Sequence, residues 1–405
     1  MDPNRSARRT STRRISRAHQ APDRQWRAPA QVLSHWADAS AVDLRLLRSK
    51  ATGRWWDFLA ESGVTVFVGR EYEHLVIAIS MWNGAPHVSY LPMPHPSGMV
   101  FDNARDTLHL ASTRNPNLVF SLSPAVSLLP LHGLTGASEL ATFRPLIPQS
   151  SAVYPGSLYL HDLGLIGGRL HGTAAGRNSI VDLGCSPGFE DVWWPRSVDH
   201  DGRPQADRNY LQLNSIAAGS TLPESYFTAS AAFPSRRRPG QRNFPVDGRG
   251  VVFSGATSEP LTRGLTRPHS ARFAAGSLLV ANSGYGELVR SDLGGSDYET
   301  ICQLPGWTRG LAIVGDTALV ATSRVLPGYE QYAPGLDPTR AICGLHAISL
   351  SSGLNLGSML WPSGNQIFAV EAVPRSRTHG FLHGAQRSGP RFDAALTLYA
   401  YAPAG

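Results

Sequence analysis

One recurring unit restricts what this chain can fold into more than any other feature. It runs from a polar residue through an apolar stretch, a turn and a second apolar stretch to a third that ends polar. It occurs as HPSGMVFDNARDTLHLASTRNPNLVFSL from His95, HDLGLIGGRLHGTAAGRNSIVDL from His161 and QLNSIAAGSTLPESYFTASA from Gln212. It continues as HSARFAAGSLLVANSGYGELVRSDL from His269 and RGLAIVGDTALVATSRV from Arg309, with another start near Gln366 in NQIFAVEAV. The first five starts lie 66, 51, 57 and 40 residues apart, close to the roughly 40–50 residues of a propeller blade with loop insertions.

From about residue 63 onward, short Val/Ile/Leu/Tyr/Phe runs are broken by Gly, Pro, Asn and Asp, which reads as all-β. The 40 Gly and 30 Pro suit so many turns. Residues 65–93, TVFVGREYEHLVIAISMWNGAPHVSYLPM, supply three outer strands without an innermost one, and the strand at 366–373 can complete them. The expectation is a β-propeller of six blades whose ring closes between N- and C-terminal strands. A seventh blade would need residues 379–403, and a pair of β-sandwiches is weakened by the regularity of the starts.

The segments ahead of the blades differ. Residues 29–61 carry apolar side chains at mixed helical spacings, Val32, Leu33, Trp36, Leu44, Leu46, Leu47, Trp55, Trp56, Phe58 and Leu59, and predict a short helical lead-in. Residues 1–28 are rich in Arg, Ser and Thr and should be a disordered basic tail, leaving residues 62–405 as one domain. The net charge of +7 sits almost wholly there, because residues 1–30 hold eight arginines against Asp2 and Asp23. A nucleic-acid partner is therefore disfavoured for the body. In the tail, RRISRA offers a kinase-type site or a nucleic-acid arm, against an unselected extension or an upstream start codon.

Lys50 is the one lysine, so a Schiff base or P-loop lysine would have to be Lys50. Cys185, Cys302 and Cys343 are too few and too far apart for a disulfide framework or a zinc knuckle. No run of about 18 apolar residues occurs, so no membrane partner and a cytoplasmic location are expected. The H-E-x-x-H motif, Walker loop and dinucleotide fingerprint are all missing.

What remains is positional. In a propeller the innermost strands begin around the central channel, so His95, His161 with Asp162, Gln212 with Asn214, His269 with Ser270, and Arg309 should converge there. One reading of them is a metal: iron on several imidazoles, or calcium on Asp162, Asn214 and Glu371. No close ligand pair supports it, and no cofactor is expected. A second reading makes His161 or His269 a general base or acid, with Asp162 orienting His161 and with Arg309 and Asn282 stabilising negative charge. The structural alternative is blade corners that bind backbone groups.

Trp193, Trp194, Trp307 and Tyr285 are candidates for the aromatic wall of a pocket, or for packing between blades. The loop SRRRPGQR, 235–242, gathers Arg236, Arg237, Arg238 and Arg242 as an anion guide to the channel mouth or as a solvated hairpin tip. His379 and His383 lie among glycines and receive no ligand role.

RPHSARF (267–273), ANSGYGEL (281–288), LPGWTRGLAIVGD (304–316), LHDLG (160–164) and CGLHAISL (343–350) resemble, as an ordered set over about residues 55–375, the motifs of an uncharacterised bacterial β-propeller family. The resemblance implies the propeller and carries no assigned activity. Where that family has His before Leu-Asn this chain has Gln212, which removes one imidazole from a shared histidine site.

The function expected is a redox-neutral step such as cyclisation, isomerisation, elimination or hydrolysis on a small, partly apolar organic molecule in the channel. A biosynthetic tailoring role would fit, with His161, His269 and Arg309 carrying the chemistry. The competing class is a non-catalytic ligand- or protein-binding scaffold.

Overall fold

The computed structural model describes residues 37–40, 43–113, 117–125, 142–154, 156–185, 188–241 and 243–384. The expected tail, the first part of the lead-in and most of the alternative seventh blade lie outside them, as does Arg242.

Six four- or five-stranded antiparallel sheets surround a central channel. Blade 1 takes its innermost strand, Ala369–Pro374, from the C-terminal side and the next three, Val64–Arg70, Leu75–Trp82 and Ala85–Pro92, from the N-terminal side. This is the closure expected from the missing inner strand at 65–93. His383–Gly384 adds a short fifth strand to its outer edge. Blades 2 to 6 begin with Pro96–Asp102, Leu160–Ile166, Leu213–Ala217, Pro268–Ala274 and Trp307–Val314, the starts seen in the repeat.

The chain ahead of blade 1 is less helical than its spacing suggests. Residues 37–40 are helical and Leu44–Leu47 form a 3-10 turn, but Lys50–Gly53 is a strand on the outer edge of blade 6. Helix Trp55–Ser62 then buries Trp55 and Leu59 and stops at Gly63, whose left-handed φ of 64° terminates it. Among the described residues, no helix is long and apolar enough to cross a membrane.

Buried side chains form clusters that straddle neighbouring blades, because each sheet is apolar on both faces. Phe67 and Val76 of blade 1 meet Met99 and Leu108 of blade 2, and Ala217 and Val252 of blade 4 meet Leu278 and Val289 of blade 5. Each fully buried aliphatic side chain contributes about 1.5–3 kcal/mol relative to exposure.

Side-chain hydrogen bonds join the inner parts of the blades. Ser97 donates to Leu160 O at 2.7 Å, Asp162 accepts from Ile216 N at 3.1 Å and Ser215 accepts from Ala271 N at 2.9 Å. Ser270 accepts from Gly310 N at 2.9 Å, Ser323 donates to Ile367 O at 3.0 Å and Glu371 accepts from Phe101 N at 3.3 Å. The approach is close enough that a Cβ on Gly98 would lie 2.5 Å from the Asp162 backbone.

Candidate functional site

Two local irregularities aim side chains into the upper mouth of the channel, where the innermost strands begin. The residue just before the strand is left-handed in four blades: His95, Tyr159, Gln212 and Arg267 have φ of 43°, 50°, 52° and 52°. This backbone is strained for a side-chain-bearing residue. Just inside, the register shifts between Pro96 and Met99, Leu213 and Ser215, His269 and Arg272, and Arg309 and Leu311. Such bulges turn side chains away from simple alternation.

The result is a cavity of about 500 Å³ that joins Glu71, His161, Gln212, Arg267, Arg309 and Gln366 to a set of aromatic rings. Phe368 forms the floor: the His161 and His269 rings stand edge-on to it at 5.4 and 5.3 Å, and Arg309 lies over it at 5.0 Å. The two imidazoles are 6.2 Å apart. Arg267 rests on Tyr332 at 4.6 Å and Trp307 at 5.7 Å. Above, Tyr329 from the 324–342 connection and Gly240 from the 230–249 connection reach the cavity. Tyr332 ties the two connections by donating to Gln241 O at 2.7 Å.

Positive charge is held here at a cost. Burial lowers the Arg267 pKa to about 9, with Arg309 repelling it further, and burial likewise lowers that of Arg309. Neither guanidinium makes an ion pair among the described residues, although Glu71 attracts Arg309. Burial, then Arg309, His161, Arg267 and Arg272, push His269 well below the usual imidazole range, so it is neutral at pH 7. Its Nδ1 is 2.9 Å from Ser270 Oγ, while its Nε2 finds no protein partner among the described residues. The same holds for Gln212 Oε1, Asn214 Oδ1 and Gln366 Oε1. Buried polar atoms rarely stay unsatisfied, so these four have hydrogen-bonding capacity that the described residues leave unused.

Several candidates lie elsewhere. Asp162 is spent on Arg272, at 3.0 Å, and on the Leu163 and Ile216 amides, so its carboxylate is not directed to orienting His161. Glu371 and Arg272 line a separate cavity of about 330 Å³ at the lower mouth, where the innermost strands end. Burial raises the Glu371 pKa to about 7. Asn214 donates to Pro268 O and Ser230 Oγ, so Asp162, Asn214 and Glu371 do not share one centre. Among the described residues, no group of three or more His, Cys, Asp or Glu is placed to hold a metal ion.

Asn282 joins Thr266 N to Glu287, Tyr285 bonds Asp247, and Trp194 bonds Asp199 beside an outer cavity. Their partners lie on turns and outer strands, so none of the three reaches the upper mouth. His95 sits at its rim, with Nδ1 3.9 Å from Glu71 and its ring 4.3 Å from that of His74. Trp307 does line the cavity.

Sequence reasoning missed Arg267, Tyr159, Phe368 and the Glu71–Tyr72 pair. The available signal was position: Tyr159 and Arg267 stand directly before innermost strands, in the place also held by His95 and Gln212.

A family model described as "Domain of unknown function (DUF4915)" matches residues 53–382, and the chain belongs to that family. A search of curated proteins finds no match. Among solved structures, a chain of a nidogen/laminin complex is similar at 9% identity and TM-score 0.51, covering 76% of this chain and 98% of that chain. A provisionally assigned oxidoreductase (glucose dehydrogenase) from Thermus thermophilus is similar at 13% identity and TM-score 0.44, covering 70% and 93%. At 9% identity the first likeness shows the propeller fold alone.

Proposed function

We propose that this member of the family binds a small organic anion with an apolar or aromatic body in the upper mouth and acts on it by redox-neutral acid–base chemistry. The observation that carries this reading is the pair Arg267 and Arg309: a half-buried and a buried guanidinium without an ion pair among the described residues, in one cavity walled by rings. Such a site is complementary to a carboxylate or comparable anion, which a guanidinium holds in a bidentate fork. The unsatisfied amide oxygens favour a substrate that also presents O–H or N–H groups.

Beside it, neutral His269 has its Nδ1 2.9 Å from Ser270 Oγ, and in the tautomer that carries its proton on Nδ1 the unpartnered Nε2 serves as the proton acceptor. The arginines oppose its protonation, and a bound anion offsets them, so substrate arrival raises its basicity where it is needed. His161 stands beside it on Phe368, and Arg309 stabilises negative charge that develops. Asp162 has no part in this chemistry, being committed to Arg272.

The test is binding followed by turnover. Calorimetry with phenylacetate-type carboxylates and their neutral amides should show the acids binding preferentially, and Arg309→Met should abolish the preference. Untargeted mass spectrometry of cell extract incubated with wild type or His269→Asn then separates catalysis from binding. A metabolite depleted by wild type alone supports the enzyme. Equal depletion by both removes His269 as the base, and no depletion with binding intact leaves a ligand-binding scaffold.

A further inference from the structure

A large cavity lies outside the channel. It has a volume of about 1050 Å³ and is formed by the 230–249 connection against the two outer strands of blade 4, Gly250–Ser254 and Pro260–Leu265. Four arginines line it: Arg236 and Arg237 from the connection, Arg249 just ahead of the first of those strands, and Arg263 on the second. All four are exposed, and the lining contains no aspartate or glutamate.

Several other exposed or half-exposed arginines on the blades are matched with carboxylates. Arg105 pairs with Asp102, Arg169 with Asp182, Arg177 with Asp191 and Arg290 with Glu299. Among the described residues, none of the four cavity arginines makes such a pair. Four unmatched cations around one concave space repel one another, and that arrangement is relieved by a ligand carrying several negative charges. The wall also presents Phe233, which keeps 56% of its surface exposed, beside the buried Phe244. An exposed ring next to an arginine cluster suits a planar apolar group attached to the anion.

We propose that this groove is a binding site for an oligophosphate, either free or carried by a nucleotide, with the phosphates on Arg236, Arg237, Arg249 and Arg263 and any base on Phe233. Guanidinium forks match phosphate oxygens bidentately, and several together discriminate a diphosphate from a single phosphate. The volume exceeds that of the channel-mouth cavity and accommodates a nucleotide. The same connection reaches the channel mouth through Gly240, and Tyr332 fixes the neighbouring Gln241. The site is separate from the acid–base reading above and does not depend on it.

Calorimetry on the full chain at ~0.15 M salt with pyrophosphate, ADP, adenosine and inorganic phosphate tests the proposal. Pyrophosphate and ADP are expected to bind about ten-fold or more tighter than phosphate, with adenosine weakest. The four substitutions Arg236→Gln, Arg237→Gln, Arg249→Gln and Arg263→Gln together should remove that binding. All four side chains are exposed, so the fold should persist and thermal melting checks it. Phe233→Ala separates the sources, weakening ADP while leaving pyrophosphate unchanged if a nucleotide is the occupant, and weakening neither if the oligophosphate is free. Adenosine binding as tightly as ADP would overturn the proposal. So would oligophosphate binding that survives the four substitutions, or an acidic peptide or single-stranded oligonucleotide far outcompeting ADP, which would make the groove a macromolecular interface.

Discussion

The two mouths of the channel are built from the same six strands, yet they treat buried charge in opposite ways. At the lower mouth Arg272 is matched by Asp162, which also receives the Leu163 and Ile216 amides. At the upper mouth Arg267 and Arg309 lie on aromatic rings without an ion pair among the described residues, beside a neutral His269. The lower cluster satisfies itself and joins blades. The upper one is left without such partners among the described residues, which is the feature the proposed anion site rests on.

The sharpest way to break this comparison is to remove a partner at the lower mouth. Asp162→Ala strands the Arg272 charge and frees two amides, so it should cost about 3–5 kcal/mol, read by urea unfolding. Arg309→Met at the upper mouth removes an uncompensated charge and should be neutral or stabilising by about 1 kcal/mol, while reducing anion affinity about a hundred-fold. If Arg309→Met unfolds the protein as readily as Asp162→Ala, the two mouths do not differ and Arg309 is structural.

This contrast was only half legible in the sequence. The blades were, because each polar start and its following apolar run recurs within one local stretch, and the incomplete blade at 65–93 announced its missing strand. The inward set at His161, Gln212, His269 and Arg309 followed from the same phase. Arg267 was passed over in favour of His269, although it holds the same left-handed position before its strand as Gln212. Asp162 was misread because the bulged backbone sends it to Arg272, 110 residues away. Asn282, Tyr285 and Trp194 were drawn in by residue type, and their partners Thr266, Asp247 and Asp199 are visible only in three dimensions.

The pH response should also differ in sign between the mouths. His269 is held neutral in the fold, whereas the unfolded chain takes a proton near 6.5, so its contribution is present above that pH and lost on acidification. His346, buried against Thr322 and Ser358 with a pKa lowered to about 4, behaves likewise between 6.5 and about 4. Each can remove up to about 1.4 kcal/mol per pH unit. Replacing His269 with Asn should flatten the acid limb of stability against pH, and a saturating anion should shift that limb by making His269 easier to protonate. An unchanged limb would mean that His269 is charged in the fold.

Glu371 supplies the opposite slope from the lower mouth. Burial lifts its pKa from 4.5 to about 7, with Arg272 and the Phe101 amide pulling it down and Asp162 pushing it up. The folded state therefore keeps a proton that the unfolded chain gives up, and the stability from this group is complete below 4.5 and lost as pH rises through 7. Glu371→Gln retains an acceptor for Phe101 N without the ionisation, so it should remove that decline and leave the protein more stable at pH 8 than wild type. The gain should be about 1 kcal/mol, below the full linkage value, because the side chain is partly exposed and screened by solvent. Chemical denaturation at pH 5 and pH 8 decides it: equal differences between variant and wild type at both would show that Glu371 stays ionised throughout. The lower mouth would then carry a net negative charge in place of a balanced cluster.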